Sequence, residues 1–389
     1  MASYKMSEKR PGNNKPLKLV DLEEPEPGDD LTLYLPQEIW IKIASFLTLD
    51  DLCQLSLVSR RFYGVAMDPI LWPTICIKSD AISGTETVVK LIQRCSFLSH
   101  LTLQCRDDIS DLLKAVAKHS KRLKTLDVRF CPILTYQDLE HLSLHCPEIS
   151  TLDLECTGCL NKDSDQHEME GSNTCSCLPS NSFTSVLRNF KLLNHLNLFA
   201  CKNLNSRGLQ EIADSCCSLQ SLDIDEVNYL SDDAFIYFIS KVKTRLKRFW
   251  VDGETLTDKS FSAFGDLQQL ELLSVSFADN MKSRGLASIS NLKNLEWLKI
   301  RRGNQLIAPD FVQAFSDGKL KKLLYLDLSE CSKLSDLGLI TVAKNCPMLA
   351  TLNLCWCWEL TDSSLKFIVN YCRLLINLNL CGVVRCVIN

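Results

Sequence analysis

The 389-residue chain has little that would draw it to nucleic acid or to a membrane. Its formal net charge is −4 and its pI is near 5.9, so it lacks the overall basic field that attracts nucleic acid or anionic lipid. No apolar run approaches the ~18 residues of a membrane span, and the first residues contain no apolar segment of a signal peptide. We therefore expect a soluble protein.

Known catalytic patterns are also absent from the sequence. It contains no G-x-S-x-G, H-E-x-x-H, P-loop or G-x-G-x-x-G motif, and its six histidines are scattered. We therefore predict neither an enzyme nor a bound cofactor.

Cysteine, in contrast, is abundant, with 20 residues in the chain. Disulfide-rich secreted proteins are short, whereas this chain is long, rich in leucine and without a signal peptide. We expect reduced thiols that pack as small apolar groups, in the cytoplasm, the nucleus or both.

Residues 1–30 contain few large apolar side chains. A basic piece precedes the acidic run DLEEPEPGDD, and prolines stand at positions 11, 16, 25 and 27. This composition cannot bury enough apolar surface to fold, so the segment is predicted to be a disordered, charged tail.

From Leu98 onward the pattern apolar-x-x-apolar-x-apolar recurs eleven times. The repeats begin at residues 98, 123, 149, 193, 219, 246, 270, 295, 323, 349 and 375, and all steps but one are 24 to 28 residues long. Each begins with a short strand pattern and continues with helical spacing after a Ser, Thr or Asp cap. Such units stack into an α/β solenoid with a curved parallel sheet inside and helices outside. We assign it residues 73–389, with about 11 repeats after a first half-repeat.

Cysteines mark two places in this repeating unit. Four close the strand motif, and five stand three residues before the next repeat: Cys131, Cys201, Cys331, Cys357, and Cys95, Cys146, Cys216, Cys346, Cys372. Over residues 98–383 the units resemble the cysteine-containing class of leucine-rich repeats.

One step of 44 residues contains an insertion at about 160–182 that is polar and rich in Gly, Ser and Asn. It is predicted to be a loop that leaves one face of the solenoid. One set of metal-binding residue types lies in and beside it: Cys156, Cys159, His167, Cys175 and Cys177. Cys156 belongs to a strand motif, and the spacing matches no standard zinc finger, so we favour a loop without metal.

Residues 35–72 predict a bundle of about three short helices. In the first, LPQEIWIKIASFL, apolar side chains cover roughly 160° of the surface, more than one core-facing stripe needs. About 40 residues are also too few to bury a self-sufficient core. We therefore expect this helix to pack both within the chain and against another protein.

The order of residues in this segment resembles an F-box. The matching positions are LP-x-E-I at 35–39, Ile43, Phe46-Leu47, the run D-L-x-x-L-S-x-V-S-R-x-F from Asp51 to Phe62, and Leu71-Trp72. With repeats behind an F-box at residues 31–72, the chain is similar to the F-box and leucine-rich-repeat family.

The resemblance implies that the F-box docks on the Skp adaptor, and through it on the cullin and RING subunits, of an SCF (Skp–cullin–F-box) ubiquitin ligase. The repeats would then hold a protein substrate for ubiquitination and degradation. The implied adaptor contacts are Leu35, Pro36, Ile39, Ile43, Leu47, Leu49, Leu52, Leu55, Val58 and Trp72. The alternative is a leucine-rich-repeat scaffold or inhibitor outside any ligase, with residues 35–72 as a helical cap.

The residues between the leucines of each strand are predicted to line the concave face. Acidic residues such as Asp153 and Asp223 give way to basic and aromatic ones in later repeats. Because recognition sites favour Trp, Tyr and Arg, we predict a substrate site at Arg248, Trp250, Trp297, Arg301 and Arg302. Its cations favour an acidic or phosphorylated segment; the alternative is an ordinary solvated face.

The last four residues, Cys386-Val387-Ile388-Asn389, read as a C-a-a-X prenylation box. Asn is not a usual X residue, and only Arg385 adds nearby positive charge. Some members of the family end in a prenylated box, so the resemblance makes Cys386 a lipidation candidate and a membrane a partner in that case alone. The alternative is that these residues cover the open end of the last repeat.

Overall fold

The computed structural model divides the chain into two compact units, Met1–Leu71 and Trp72–Asn389. It describes residues 35–78, 84–157, 186–201, 204–227 and 229–383. The predicted tail at 1–30, the insertion at 160–182 and Cys386 lie outside these ranges. No helix within them is long and apolar enough to cross a membrane.

The first unit is built from three short helices, as the sequence predicts. They are α1 (Gln37–Ala44), α2 (Leu49–Val58) and α3 (Arg60–Ala66), followed by a 3-10 turn at Pro69–Leu71. Thr48 and Asp51 form a capping box at the start of α2, and Ser59 accepts a hydrogen bond from the Phe62 N–H at the start of α3. These caps satisfy free N–H groups and separate the helices within very few residues.

The core of the first unit is small. The Trp40 and Phe62 rings meet edge to face with centroids 4.9 Å apart. Leu52 of α2 is also buried. The Arg61 guanidinium donates a 2.6 Å hydrogen bond to the Leu35 carbonyl, which ties the start of the segment to α3. Few side chains are therefore buried, and much apolar surface stays outside.

The second unit confirms the predicted solenoid. Its strands form one parallel sheet of 12 strands in chain order. They are β1 (Thr74–Ile77), β2 (His100–Leu103), β3 (Thr125–Asp127), β4 (Thr151–Asp153), β5 (His195–Asn197), β6 (Ser221–Ile224), β7 (Arg248–Asp252), β8 (Leu272–Ser276), β9 (Trp297–Ile300), β10 (Tyr325–Asp327), β11 (Thr351–Asn353) and β12 (Asn377–Asn379).

Helices follow the strands and bury their apolar sides against the sheet. They are α4 (Thr85–Arg94), α5 (Ile109–His119), α6 (Tyr136–His145), α7 (Ser206–Ser215), α8 (Asp232–Val242), α9 (Asp258–Ala263), α10 (Ser283–Ile289), α11 (Ala308–Phe315), α12 (Asp336–Asn345) and α13 (Asp362–Tyr371), with 3-10 turns at Phe264–Asp266 and Ser316–Gly318. Across the 44-residue step the sheet keeps its register, since Leu152 pairs with Leu196.

In most repeats the strand ends at a polar side chain. An Asp or Asn accepts a hydrogen bond from the backbone N–H two residues further on, as at Asp127, Asp153, Asn197, Asp223, Asp327, Asn353 and Asn379. This local bond competes with continued strand pairing, so the strand stops there. We call this the capping position of the strand.

The turn after the strand adopts a left-handed backbone in most repeats. The residues with positive φ there are Cys105, Phe130, Cys156, Ala200, Glu226, Phe277, Arg302, Glu330, Trp356 and Gly382. Only Gly382 among them is glycine, although this conformation is unfavourable for a residue with a Cβ. The next repeat compensates: the Phe130 N–H donates to the Glu155 carbonyl at 2.9 Å, and the Trp356 N–H donates to the Cys381 carbonyl at 2.8 Å.

Strands β1 and β2, which have Cys76 and Thr102 at this position, and strands β7, β8 and β9 depart from this scheme. Trp250, Ser274 and Lys299 occupy the capping position, and none of these side chains can accept the bond in the same way as Asp or Asn. Strands β7 and β8 are accordingly five residues long, whereas β3, β10 and β11 have three. This part of the sheet extends further before it turns.

Phenylalanine fills the core behind β7. The Phe249 ring lies 5.5 Å from Phe238 and 5.9 Å from Phe264, measured between centroids. All three rings are fully buried. The backbone that carries Trp250 on the opposite face therefore rests on a rigid support.

The cysteines that close the strand motif are buried, as predicted, and they also donate hydrogen bonds. The Sγ atoms of Cys131, Cys201, Cys331 and Cys357 lie 3.1 to 3.4 Å from a strand carbonyl of the preceding repeat. Burial raises the pKa of Cys131 to about 11 and that of Cys357 to about 12. These thiols remain protonated and unreactive at neutral pH.

This arrangement predicts which thiols react. Brief treatment of the native protein with iodoacetamide at pH 8 should modify the exposed Cys53 and Cys217 and leave Cys131, Cys331 and Cys357 unmodified. Peptide mass spectrometry measures the extent at each site, and unfolding in urea should make all of them react. Rapid modification of Cys357 in the native protein would contradict its place in the core.

Candidate functional site

The first unit carries a stripe of exposed apolar side chains along α1. Leu35, Ile39, Ile43 and Leu47 are 38, 46, 44 and 39% exposed. Ile39 and Ile43, one turn apart, lie on one side of α1, while Leu35 precedes the helix and Leu47 follows it. Pro36 is also exposed at the start of the stripe.

The second helix adds to this exposed apolar surface. Val58 is largely exposed, while Leu49 and Leu55 are half-buried. Phe46 and Leu57 are each 79% exposed; the predicted set omits them, although both lie in the segment that carries it. Exposed apolar patches of this kind mark protein-interaction surfaces.

Two predicted adaptor contacts lie elsewhere. Leu52 is only 2% exposed and belongs to the core of the first unit, and Trp72 is buried at the start of the second unit. Neither side chain is available at the surface in this structure. Their spacing in the sequence does not reveal this, because core and surface leucines alternate along α2.

The predicted substrate residues all lie on the inner face of the sheet or at its edge. In register, Arg248 pairs with Leu272, which pairs with Trp297, so two strand spacings separate the first and last of these. The Trp297 ring stacks on Tyr325 with centroids 4.3 Å apart. Trp250 lies one step further along β7, beside Ser274 of β8.

The arginines of the predicted site are already paired within the chain. Arg301 binds Glu330 through Nη2 at 2.6 Å and Nε at 2.7 Å, and Arg302 Nε lies 3.4 Å from Asp279. Both guanidinium groups also lie over the Phe277 ring. These pairs leave the side chains of Arg301 and Arg302 42 and 38% exposed, and Arg248 of the predicted set is exposed. The expectation of an acidic or phosphorylated ligand stays a prediction.

Carboxylates surround Trp250 instead. Asp223 is its neighbour on β6 in register, and Asp252 follows it by two residues on the same face of β7. Asp225 accepts a 2.8 Å hydrogen bond from Ser276 on β8. We call Asp223, Asp225, Trp250 and Asp252 the tryptophan–carboxylate cluster. The sequence analysis placed Asp223 and Trp250 on this face but did not include Asp252.

The pKa values of this cluster reflect crowding. Burial, with the charges of Asp225, Glu155 and Asp153 nearby, raises the pKa of Asp223 to about 7. Burial and the neighbouring Asp225 likewise raise the pKa of Asp252 to about 6. The cluster concentrates negative charge where water screens it poorly.

A second acidic group on the same face is better balanced. Arg129 reaches Asp127 at 2.9 Å, Glu155 at 3.3 Å and Asp153 at 3.4 Å. Burial still raises the pKa of Asp153 to about 6, because one guanidinium is shared among three carboxylates. This pairing distinguishes the group from the tryptophan–carboxylate cluster.

Metal binding finds no support in the described ranges, where no group of three or more His, Cys, Asp or Glu is arranged to hold an ion. The zinc set proposed from the sequence lies largely outside those ranges: Cys156 is described, and its four companions are not. The prediction made from the sequence, a loop without metal, is therefore not tested by the described residues.

The crowded carboxylates predict a pH-dependent stability. A carboxyl whose pKa is raised on folding stabilises the native state below the unfolded pKa of about 4, and this contribution is lost as pH rises towards about 7. Asp223→Asn keeps the capping acceptor and removes the charge. Its gain in unfolding free energy over the unmodified protein should be larger at pH 8 than at pH 4 by about 1–3 kcal/mol.

Urea denaturation followed by circular dichroism at pH 4, 6 and 8 measures this difference. The variant Glu148→Gln removes an exposed charge and should reproduce the unmodified profile. If the unfolding free energies of Asp223→Asn and the unmodified protein differ by the same amount at all three pH values, folding does not raise the pKa of Asp223.

Comparison with known families places the first unit. The model of the F-box-like family matches residues 32–78. This range contains α1, α2, α3 and strand β1, and it includes the exposed apolar stripe.

The chain also resembles solved structures. The crystal structure of the Rad7 and Elc1 complex in yeast matches with a TM-score of 0.60 at 16% identity, over 89% of this chain and 81% of that chain. The leucine-rich repeat-containing protein LegL7 from Legionella pneumophila matches with a TM-score of 0.47 at 13% identity, over 78% of this chain and 97% of that chain. At 16% identity the likeness to the Rad7 and Elc1 complex shows the fold alone.

The family match and the twelve-stranded solenoid are two separate observations, one for each unit. Together they agree with the order of motifs in the sequence. The chain carries an F-box-like segment at residues 32–78 and, after it in the sequence, a leucine-rich-repeat solenoid.

Proposed function

We propose that this protein is the substrate-recognition subunit of an SCF ubiquitin ligase. The single observation that carries the proposal is the exposed apolar stripe of α1, which lies inside the range matched by the F-box-like model. A soluble unit that leaves this much apolar surface uncovered favours a protein partner. In this proposal the partner is the Skp adaptor, which connects the chain to cullin and RING subunits.

The adaptor surface consists of the exposed part of the predicted set together with Phe46 and Leu57. Phe46 extends the stripe beyond the end of α1, and its ring lies 5.5 Å from the Lys42 ammonium. Leu52 supports this surface from the core. Rad7, which shares the solenoid fold, is also found in a complex with a second protein, Elc1.

The solenoid would hold the substrate on its inner face. Because the catalytic step belongs to the other subunits, the chain contributes proximity: it raises the effective concentration of substrate lysines near the charged conjugating enzyme. It therefore acts without catalytic residues or cofactor. The expected outcome for the substrate is ubiquitination and degradation, in the cytoplasm, the nucleus or both.

The adaptor surface can be tested with a double substitution. Ile39→Glu with Ile43→Glu places two charges in the exposed stripe, where a desolvated interface would have to bury them. Affinity purification from cells should recover adaptor and cullin with the unmodified protein and lose at least about tenfold of both with the variant.

The matched control is Leu144→Glu with Leu337→Glu, since both leucines are exposed on helices of the solenoid. This variant should retain adaptor and cullin as well as the unmodified protein does. If the unmodified protein recovers neither subunit, the scaffold alternative replaces the receptor proposal. Circular dichroism should confirm that all the variants are folded.

A further inference from the structure

The inner face of the solenoid changes character at β7, β8 and β9. In β3 to β6 and β10 to β12 the capping position holds an Asp or Asn, whereas here it holds Trp250, Ser274 and Lys299. The longer strands β7 and β8 show that these side chains do not cap the strand. The partly exposed side chains of Trp250 and Lys299 are therefore available for a ligand.

Ser274 lies at the centre of this surface with an unsatisfied hydroxyl. Its residue is 1% exposed, and its Oγ atom has no hydrogen-bond partner in the part of the chain that the structure describes. Strand alternation directs it to the inner face, between Trp250 and Lys299 in register. A buried hydroxyl without a partner costs about 1–3 kcal/mol, which a polar group of a ligand would offset.

Negative charge lies on the β6 side of Ser274. Asp223, Asp225 and Asp252 form no ion pair with any lysine or arginine of the described ranges. Asp225 is fixed by Ser276 at 2.8 Å, and Asp252 by the Glu254 N–H at 2.8 Å. The carboxylates are held in place without a neutralising cation.

Positive charge limits the other sides of the surface. Lys299 lies beyond Ser274 on β9, with Nζ 3.4 Å from the Ser276 hydroxyl. Arg248 lies two residues before Trp250 on β7, at the opposite end from Asp252, and is exposed. A bound cation is thereby confined to the area over Trp250 and towards the three carboxylates.

We propose that the tryptophan–carboxylate cluster, with Ser274 beside it, binds a lysine or arginine side chain of a basic protein segment. The indole face of Trp250 attracts an ammonium or guanidinium group, and the carboxylates form charge-assisted hydrogen bonds with it. Ser274 Oγ is placed to bond a backbone group of the same segment. The inference rests on the proposed receptor function only in naming that segment as the substrate.

The chemistry of the cluster selects this ligand over a metal ion. Its carboxylates line one aromatic side chain along β6 and β7 and do not converge on a point, in agreement with the lack of a metal-holding group in the described ranges. It also selects a basic segment over an acidic one, because the nearby Arg301 and Arg302 are paired with Glu330 and Asp279.

The test uses the full chain and two labelled peptides at about 0.15 M salt, where long-range attraction is largely screened. One peptide is fluorescein-Gly-Ser-Lys-Arg-Lys-Ser-Gly, and the other has glutamine in place of its three basic residues. Fluorescence anisotropy should show that the unmodified protein binds the basic peptide at least about tenfold more tightly than the neutral one.

Variants then locate the binding. In the triple variant Asp223→Asn, Asp225→Asn, Asp252→Asn, each side chain keeps an oxygen that can accept the hydrogen bond from its backbone N–H partner. Asparagine occurs naturally at the position of Asp223 in β5, β11 and β12. The triple variant should lower affinity for the basic peptide about tenfold or more, and Trp250→Leu should also weaken it. Glu148→Gln, an exposed carboxylate elsewhere, should leave it unchanged.

Two results would overturn the inference: equal affinity of the unmodified protein for both peptides, or full affinity retained by a folded triple variant. Should the triple variant fail to fold, Asp252→Asn and Trp250→Leu decide separately. Recovery of the adaptor in affinity purification distinguishes a failure of this inference from a failure of the proposed receptor function. The cluster variants should recover adaptor normally, and Ile39→Glu with Ile43→Glu should bind the peptide normally.

Discussion

Parallel pairing of one short strand per repeat is the constraint on which the rest of the second unit depends. Each strand must meet its neighbours in fixed register, so an apolar residue of one repeat faces an apolar residue of the next, as Leu126 faces Leu152 and Leu222 faces Phe249. One face of the sheet is consequently buried from β1 to β11, while Leu378 of β12 is 41% exposed. The other face must display whatever residues lie between the leucines, and there the repeats differ from one another.

The sequence predicts the fold well because that constraint leaves a periodic mark. The strands start two residues after most of the predicted repeat starts, for example at His100 after Leu98 and at Tyr325 after Leu323. The helical caps are equally local, as at Thr135. The turn after the strand leaves no such mark, because Phe130 or Glu330 adopts positive φ with help from the next repeat and not through its own chemistry.

The functional surfaces could be predicted only in part, for a similar reason. Helical spacing locates the stripe of Ile39 and Ile43, but only the packed structure separates Leu52 from it. On the inner face, charge was predicted residue by residue, whereas pairing occurs between repeats: Arg301 and Glu330 are 29 positions apart. For the same reason the sequence does not predict the hydrogen bond between Ser276 and Asp225, which lie two strand spacings apart.

The left-handed turn also restricts the residue that can follow β12. There the left-handed position holds Gly382. A Cβ there would lie 2.6 Å from the Trp356 ring of the preceding repeat. Two constraints therefore favour glycine at position 382: the left-handed backbone and the lack of room for a Cβ beside the Trp356 ring.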